Sequence, residues 1–340
     1  MNFLNLFKKQ WIIAIALVVF GVSFDLHAQV VIKLGTQAPE GSPWHNLLRE
    51  MGEKWEQMSA GRVKLKIYPG GVAGNDSDMI RKLRVNQLHA ALLTGVGIRD
   101  IVSHVQALQV PMLLKNDQEL DAVLSAVSSD LDKYVGAKGF VSLGWGDAGW
   151  VTFFTQKPVH TPDEMKDVKL FAWVGDEASV EAWKIAGFSP VVVSSTDITT
   201  SLQTGMLQAV DTTPLIGLSF QWFRYAKYVV DVKWAPMVGG VLMTQKAFDQ
   251  IPADLKEPLL KEAKRICERL KTESRKLEAS ALQNLKKEGV EVITLTSEQK
   301  ATWVKAAEKV YPFIREKVVP ADFFDRIVKI RDEFRAKNKQ

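Results

Sequence analysis

Three glycines, Gly144, Gly146 and Gly149 in GWGDAG, fall at the spacing of a dinucleotide fingerprint, and the strand-like run FVSLGWG leads into them. That chemistry needs a helix N-terminus directly downstream, so that backbone N–H groups aim at the pyrophosphate. WVTFF follows instead and continues as β, so the glycines are read as a chain reversal that lets the backbone pass near something bulky. The glycines of GGVAGNDSD are read in the same way as a turn, with Asn75, Asp76 or Ser77 capping the next helix. No metalloprotease helix motif, Gly-x-Ser-x-Gly elbow or Walker loop occurs. His45, His89, His104 and His160 are scattered without metal-ligand spacing. Cys267 lies on the apolar side of a helical stretch, where a thiol packs rather than attacks. A secreted enzyme would need Asp147 and His45 to meet in a cleft, and no nucleophile–base pattern supports that. The residues therefore predict no catalysis, no metal and no cofactor.

Composition narrows the class further. The 340 residues predict about two domains. At 46% apolar and 24% charged the chain is near the globular average, which excludes a mostly disordered protein. The 44 Lys and Arg against 39 Asp and Glu give +5, too slight and too evenly spread for a nucleic-acid binder. A single cysteine excludes an intrachain disulfide framework and any multi-cysteine metal site. Residues 1–28 read as a secretory signal: Lys8 and Lys9, an apolar run from Trp11 to Phe24, then the small Ala28. That run is shorter than the ~20 residues that span a bilayer, so cleavage after Ala28 and export are expected.

The elements that must position any site alternate in type. Strand-like VVIKLGT (30–36) precedes a helical pattern through Trp44, Leu47, Leu48, Met51 and Trp55. GRVKLKIYP alternates as a half-buried strand, a helix follows from about Ser77 to Gln87, then AALLTGV, the VPMLL segment and a helix over 117–134. A second series of strands and helices runs from Gly139 to AVDTT (209–213), and GGVLMTQKAF (239–248) returns to a strand. This rhythm predicts an α/β fold with much parallel pairing. From Asp254 to Glu288 runs a helical pattern about 52 Å long, ended by Gly289; its apolar positions skip a strict heptad, so it is read as running along two lobes of one molecule.

The order IKLGTQAPEGSPW, SAGRVKLKIYPGGVAGNDSDMIRKLRVNQLHAALL, VPMLL, DEMKDVKLFAW and SLQTGMLQAVDTTP, followed by the long helix, resembles the DctP-like solute-binding subunit of tripartite ATP-independent periplasmic (TRAP) transporters. The likeness covers essentially the whole chain after the signal. It implies a two-lobed periplasmic-binding-protein fold with crossing hinge strands and a long bracing helix. On this division lobe I holds 29–148 and 240–283, and lobe II holds 149–239 and 284–340. It further implies a small-molecule ligand closed between the lobes, delivery to the small and large membrane subunits of a TRAP permease, and no cofactor. Whether a tetratricopeptide partner docks is left open.

One departure from the family pattern bears on the ligand. The resemblance leads one to expect an arginine near the end of the VKLFAW strand, where Phe171 stands here, and a second basic residue aligns with Val151. An arginine fork gives a carboxylate paired charge-assisted hydrogen bonds, and phenylalanine gives none. Arg99 and Lys169 are the candidates for replacing it. Trp44, Trp145, Trp150, Phe171 and Trp173 stand where the resemblance puts ligand contacts, with Phe220, Trp222 and Trp234 nearby; Trp55, Trp183 and Trp303 are read as core. Gln37, Thr94 beside Gly95, Asp147, Thr212 and Thr213 are the polar anchors. The expectation is an apolar or aromatic ligand, with an organic acid held by a non-standard basic residue, or a lipid carried independently of a permease, as alternatives.

Overall fold

A computed structural model describes residues 29–338, so the expected signal segment lies outside the described residues. In chain order the strands are β1 (Val30–Thr36), β2 (Val63–Tyr68), β3 (Ala90–Thr94), β4 (Phe140–Trp150), β5 (Thr152–Thr155) and β6 (Lys169–Trp173). They continue with β7 (Ser189–Val193), β8 (Ala209–Thr212), β9 (Tyr228–Val230), β10 (Pro236–Thr244) and β11 (Glu291–Ile293). Two sheets result, ordered β2-β1-β3-β10-β4 and β11-β9-β5-β8-β6-β7. In the first, β1 runs parallel to β2 and β3 while β10 is antiparallel to β3 and β4. In the second, β6 is parallel to β7 and β8, and β5 is antiparallel to β8 and β9.

Among the described residues the chain passes between the sheets three times, and the first two crossings, both extended, pair with each other. Only Val151 separates β4 from β5; its N–H donates to Ala235 O at 2.8 Å and its carbonyl accepts from Trp234 N at 2.8 Å. Residues 231–235 make the return crossing from β9 to β10. These are the crossing strands expected from the resemblance.

Most of the helices begin where a side chain satisfies free N–H groups. α1 (Pro43–Met58) starts at Ser42 with proline in its first turn, and buries Trp44, Leu47, Leu48, Met51 and Trp55 along one stripe. α2 (Asp76–Arg84) has a capping box between Asn75 and Asp78. The short α3 (Gly95–Arg99) follows β3, and α4 (Asp117–Gly136) is capped by Asn116. On the second sheet, α5 (Glu177–Ala186) is capped by Asp176; α6 (Ile198–Thr204) and α7 (Pro214–Ser219) flank β8.

The bracing helix α8 (Ala253–Lys287) packs on α1 and β4 of the first sheet and on α7 and β11 of the second. GWGDAG makes no chain reversal: it runs straight through β4, and its glycines admit α8. A Cβ on Gly144 (φ 155°) would sit 2.4 Å from Cys267 Cβ, and one on Gly149 (φ 97°) would sit 2.6 Å from Glu278 Cδ. The bulky neighbour is therefore the long helix.

After α9 (Ser297–Glu308) the chain ends in α10 (Ala321–Lys337), which packs back onto α4 of the first sheet. Arg335 binds Glu119 at 2.8 Å and Arg326 binds Asp130 at 2.7 Å across that contact. Residues 284–340, grouped with lobe II from the sequence, thus touch both lobes.

Candidate functional site

Between the sheets lies a cavity of about 160 Å³. It is walled on one side by Thr36–Ala38, Trp44, Leu92–Thr94, Gly144–Ala148 and the β10 run Met237–Val241. Phe171, Trp173, Ser195, Val210–Thr212, Phe220 and Trp222 form the other side. For scale, an apolar cavity of ~150 Å³ holds benzene. Among the described residues, none of those lining it is Lys, Arg or His.

The two sides are tied together across the mouth. Ser195 Oγ donates to Gln37 Oε1 at 2.5 Å, Asn75 Nδ2 donates to Ser194 Oγ at 3.2 Å, and Arg99 pairs with Asp176 while donating to Gly175 O at 2.9 Å. Four contacts therefore run between the first lobe's loops and α3 and the loops after β7 and before α5.

Of the residues singled out in the sequence, Gln37, Trp44, Thr94, Trp145, Asp147, Phe171, Trp173 and Thr212 line this cavity. Phe171 is 1% exposed and meets Trp173 edge-on at 5.2 Å. Val151 lines a neighbouring cavity on the hinge side. Three others lie outside both linings for identifiable reasons. Trp150 turns its indole N–H to Asp117 at 2.7 Å with Lys233 over its ring, Thr213 caps α7 by accepting from Ile216 N at 3.3 Å, and Gly95 opens α3 against Gln109. The core reading of Trp55, Trp183 and Trp303 agrees with their burial; the N–H groups of Trp55 and Trp303 bond Leu259 O and His160 O, and Trp183, packed on Phe188 and Trp234, also lines the hinge-side cavity.

Neither candidate replacement cation reaches the cleft. Arg99 is committed to Asp176, and Lys169 is exposed, its Nζ 3.4 Å from Gly205 O. Asp147 is not a free anchor either: Arg275 from α8 grips its carboxylate at 2.7 Å and also holds Asp121 at 2.8 Å. Burial pushes Asp147 above the usual carboxylate range, against the pull of Arg275. His45 is bound by Gly41 N at 3.0 Å and lies outside the lining, so it does not meet Asp147. Cys267 does line the cavity, but burial pushes its thiol up to about 12, which leaves it unreactive at neutral pH.

Two acids missed in the sequence lie in the lining. Asp76 accepts from Thr94 Oγ1 at 2.5 Å and from Gln37 Nε2 at 2.8 Å, and burial still pushes it up to about 6. Asp211 is pushed up to about 8, first by burial and then by the charge of Asp176, with only its own backbone N–H opposing. Its Oδ1 has no hydrogen-bond partner. The available signal was one acid inside the otherwise apolar strand AVDTT. A third buried acid, Glu278 of α8, accepts from Leu215 N at 2.9 Å and from the Trp150 backbone, and burial pushes it up to about 8.

Comparison with known proteins agrees with the two-lobed fold. The family model for bacterial extracellular solute-binding protein, family 7 (DctP), matches residues 34–317. The 2,3-diketo-L-gulonate-binding periplasmic protein YiaO of Escherichia coli is 21% identical over 267 residues, covering 77% of this chain and 80% of that protein. The C4-dicarboxylate-binding periplasmic protein DctP of Rhodobacter capsulatus is 20% identical over 296 residues, 85% of this chain and 87% of that one. A TRAP periplasmic solute-binding protein from Sulfurospirillum deleyianum, solved with bound succinate, superposes with a TM-score of 0.82 at 21% identity, over 88% of this chain and 98% of that one.

Proposed function

The chain belongs to family 7 of the bacterial extracellular solute-binding proteins, a family of receptors rather than enzymes, and from that premise we propose that it binds a small, largely apolar ligand in the periplasm and hands it to a TRAP-type permease. One observation carries the ligand class: among the described residues, the cleft lining holds no cationic side chain and does hold three acids, Asp76, Asp147 and Asp211. A desolvated carboxylate without a partner costs several kcal/mol, and neighbouring acids add repulsion. An apolar guest gains ~0.8 kcal/mol per buried CH₂ against Trp44, Phe171, Trp173 and Trp222, so ten such groups give about 8 kcal/mol before the cost of association.

The mouth contacts support a closed, ligand-retaining arrangement of lobes that part about the Val151 and Trp234–Ala235 crossings. Among the described residues no helix is long and apolar enough to cross a membrane. Export by a signal cleaved after Ala28 is part of the reading, and intact-mass measurement placing the N-terminus at Gln29 tests it. Nothing in the fold or in the relatives reported above supports a tetratricopeptide partner. A permease-independent lipid carrier would present the same cleft; uptake of the ligand by cells with and without the permease separates the two.

The second reading is an organic acid, favoured by the ligands named for YiaO, DctP and the Sulfurospirillum protein. Mass spectrometry of the small molecules extracted from freshly purified protein decides between them. A mostly apolar compound at about one per chain supports the proposal, and a C4-dicarboxylate or sugar acid overturns it.

A further inference from the structure

On the hinge side of the cleft lies a second cavity of about 130 Å³, walled by Val151, Trp183, Trp234, Pro236 and Ile314 among others. It shares four lining residues with the main cavity: Thr94, Trp173, Asp211 and Met237. These four form a waist between two apolar chambers, and among the described residues neither chamber is lined by Lys, Arg or His. At the waist Thr94 Oγ1 is already committed to Asp76 at 2.5 Å. Asp211 differs: its Oδ1 is buried and unbonded. Buried polar atoms are nearly always paired in folded proteins, and an acid that lines both cavities with an oxygen left unpaired points to a guest that engages its side chain.

We propose that Asp211 donates a hydrogen bond to a carbonyl oxygen of an elongated, mostly apolar ligand whose two arms fill the two chambers. This deepens the apolar-cleft reading and rests on it. Each chamber is near the size that holds a benzene-sized group, so one chamber takes a short arm and the pair takes a longer molecule. The charges around Asp211 favour the neutral acid. Asp176 faces it but is tied to Arg99, Asp76 shares its cleft, Asp147 is held by Arg275, and Glu278 is turned to the Leu215 and Trp150 backbone, so no cation is left to hold an Asp211 carboxylate. A guest that needs Asp211 as acceptor, such as an ammonium, would require the ionised form; the acceptor guest requires the proton, and the two respond to pH in opposite directions.

The test uses 6-undecanone, whose carbonyl lies between two five-carbon arms and stays neutral at every pH, against 6-aminoundecane, read by tryptophan fluorescence at pH 7.0 and 9.5. With Asp211 titrating at about 8, ketone affinity for the wild-type protein should fall about 30-fold over that interval. In Asp211→Asn, whose amide still donates, the ketone should bind without pH dependence, which also removes Glu278 as the source of the effect. Ala182→Phe, which fills the second chamber, should weaken 6-undecanone at least tenfold while leaving 2-heptanone, with one long arm, within about twofold. A ketone affinity equal at both pH values, or an amine that binds more tightly and gains with pH, overturns the role of Asp211 alone. Failure of both probes to bind wild-type protein at either pH overturns the apolar-cleft reading as well.

Discussion

Removing the Arg99 side chain should loosen the closed form without harming either lobe. Arg99 belongs to α3 on the first lobe, Asp176 caps α5 on the second, and their side chains are 14% and 1% exposed. The guanidinium also donates to Gly175 O at 2.9 Å, so two hydrogen bonds exist only while the lobes are together. Hydrogen bonds to charged groups contribute about 1.5–3 kcal/mol each when shielded from water. Asp176 keeps its bonds from Ser179 N at 2.9 Å and Ser179 Oγ at 2.5 Å, which limits the loss on that side. A net closed-state loss of about 2 kcal/mol follows, a roughly 30-fold weaker affinity for 6-undecanone in Arg99→Ala by fluorescence titration. Small-angle scattering of the ligand-free variant should show a larger radius of gyration than wild type. The control is Arg62→Ala, which removes an exposed contact with Asp254 inside the first lobe and should change affinity less than threefold. An Arg99→Ala protein that binds within twofold of wild type and scatters identically refutes the latch.

Three further outcomes follow from the packing and the buried acids. Phe171→Arg puts a cation into a wall that offers an apolar guest nothing polar to gain, so 6-undecanone affinity should fall at least about tenfold, a loss of ~1.4 kcal/mol by titration; unchanged affinity would put Phe171 outside the site. Gly144→Ala drives a methyl to 2.4 Å from Cys267 Cβ and should cost about 1–3 kcal/mol in denaturant unfolding, part of which Cys267→Gly in the same chain restores; full stability of the single variant would show that α8 does not press on β4 there. Glu278, at about 8 when folded, holds a proton that the unfolded chain releases near 4.5, so stability falls as pH rises through that window. Glu278→Gln should therefore lose less stability than wild type between pH 5 and 9, by on the order of 2 kcal/mol, and parallel pH curves for the two proteins would exclude it as a contributor.

The fold was legible where one periodicity dominates. The stripe Trp44, Leu47, Leu48, Met51 and Trp55 announced α1, and the heptad-breaking apolar pattern of 254–288 announced a helix laid along two lobes, which is how α8 packs. The contacts of α10 were not legible, because they depend on ion pairs such as Arg335–Glu119 between segments 216 residues apart, which no local pattern encodes. GWGDAG showed that something bulky must approach, but not that α8 does so along a continuous strand. The cleft was partly legible: its aromatic side chains stand out by type, whereas Asp76 and Asp211 look like a helix cap and a strand residue until the tertiary structure brings them into one cavity from opposite lobes. The opposite error arose for Asp147, whose side chain reads as an anchor until Arg275, 128 residues away, is seen to hold it.

The most direct test of the apolar, cation-free cleft is calorimetric titration of ligand-stripped protein with succinate and 2,3-diketo-L-gulonate beside 6-undecanone. The arrangement of Phe171, Trp173 and Asp211 in a lining without a basic side chain predicts no saturable heat from either acid at neutral pH and saturable binding of the ketone. Tight binding of either acid would mean that a cation reaches the cleft after all, and would contradict the account at its centre.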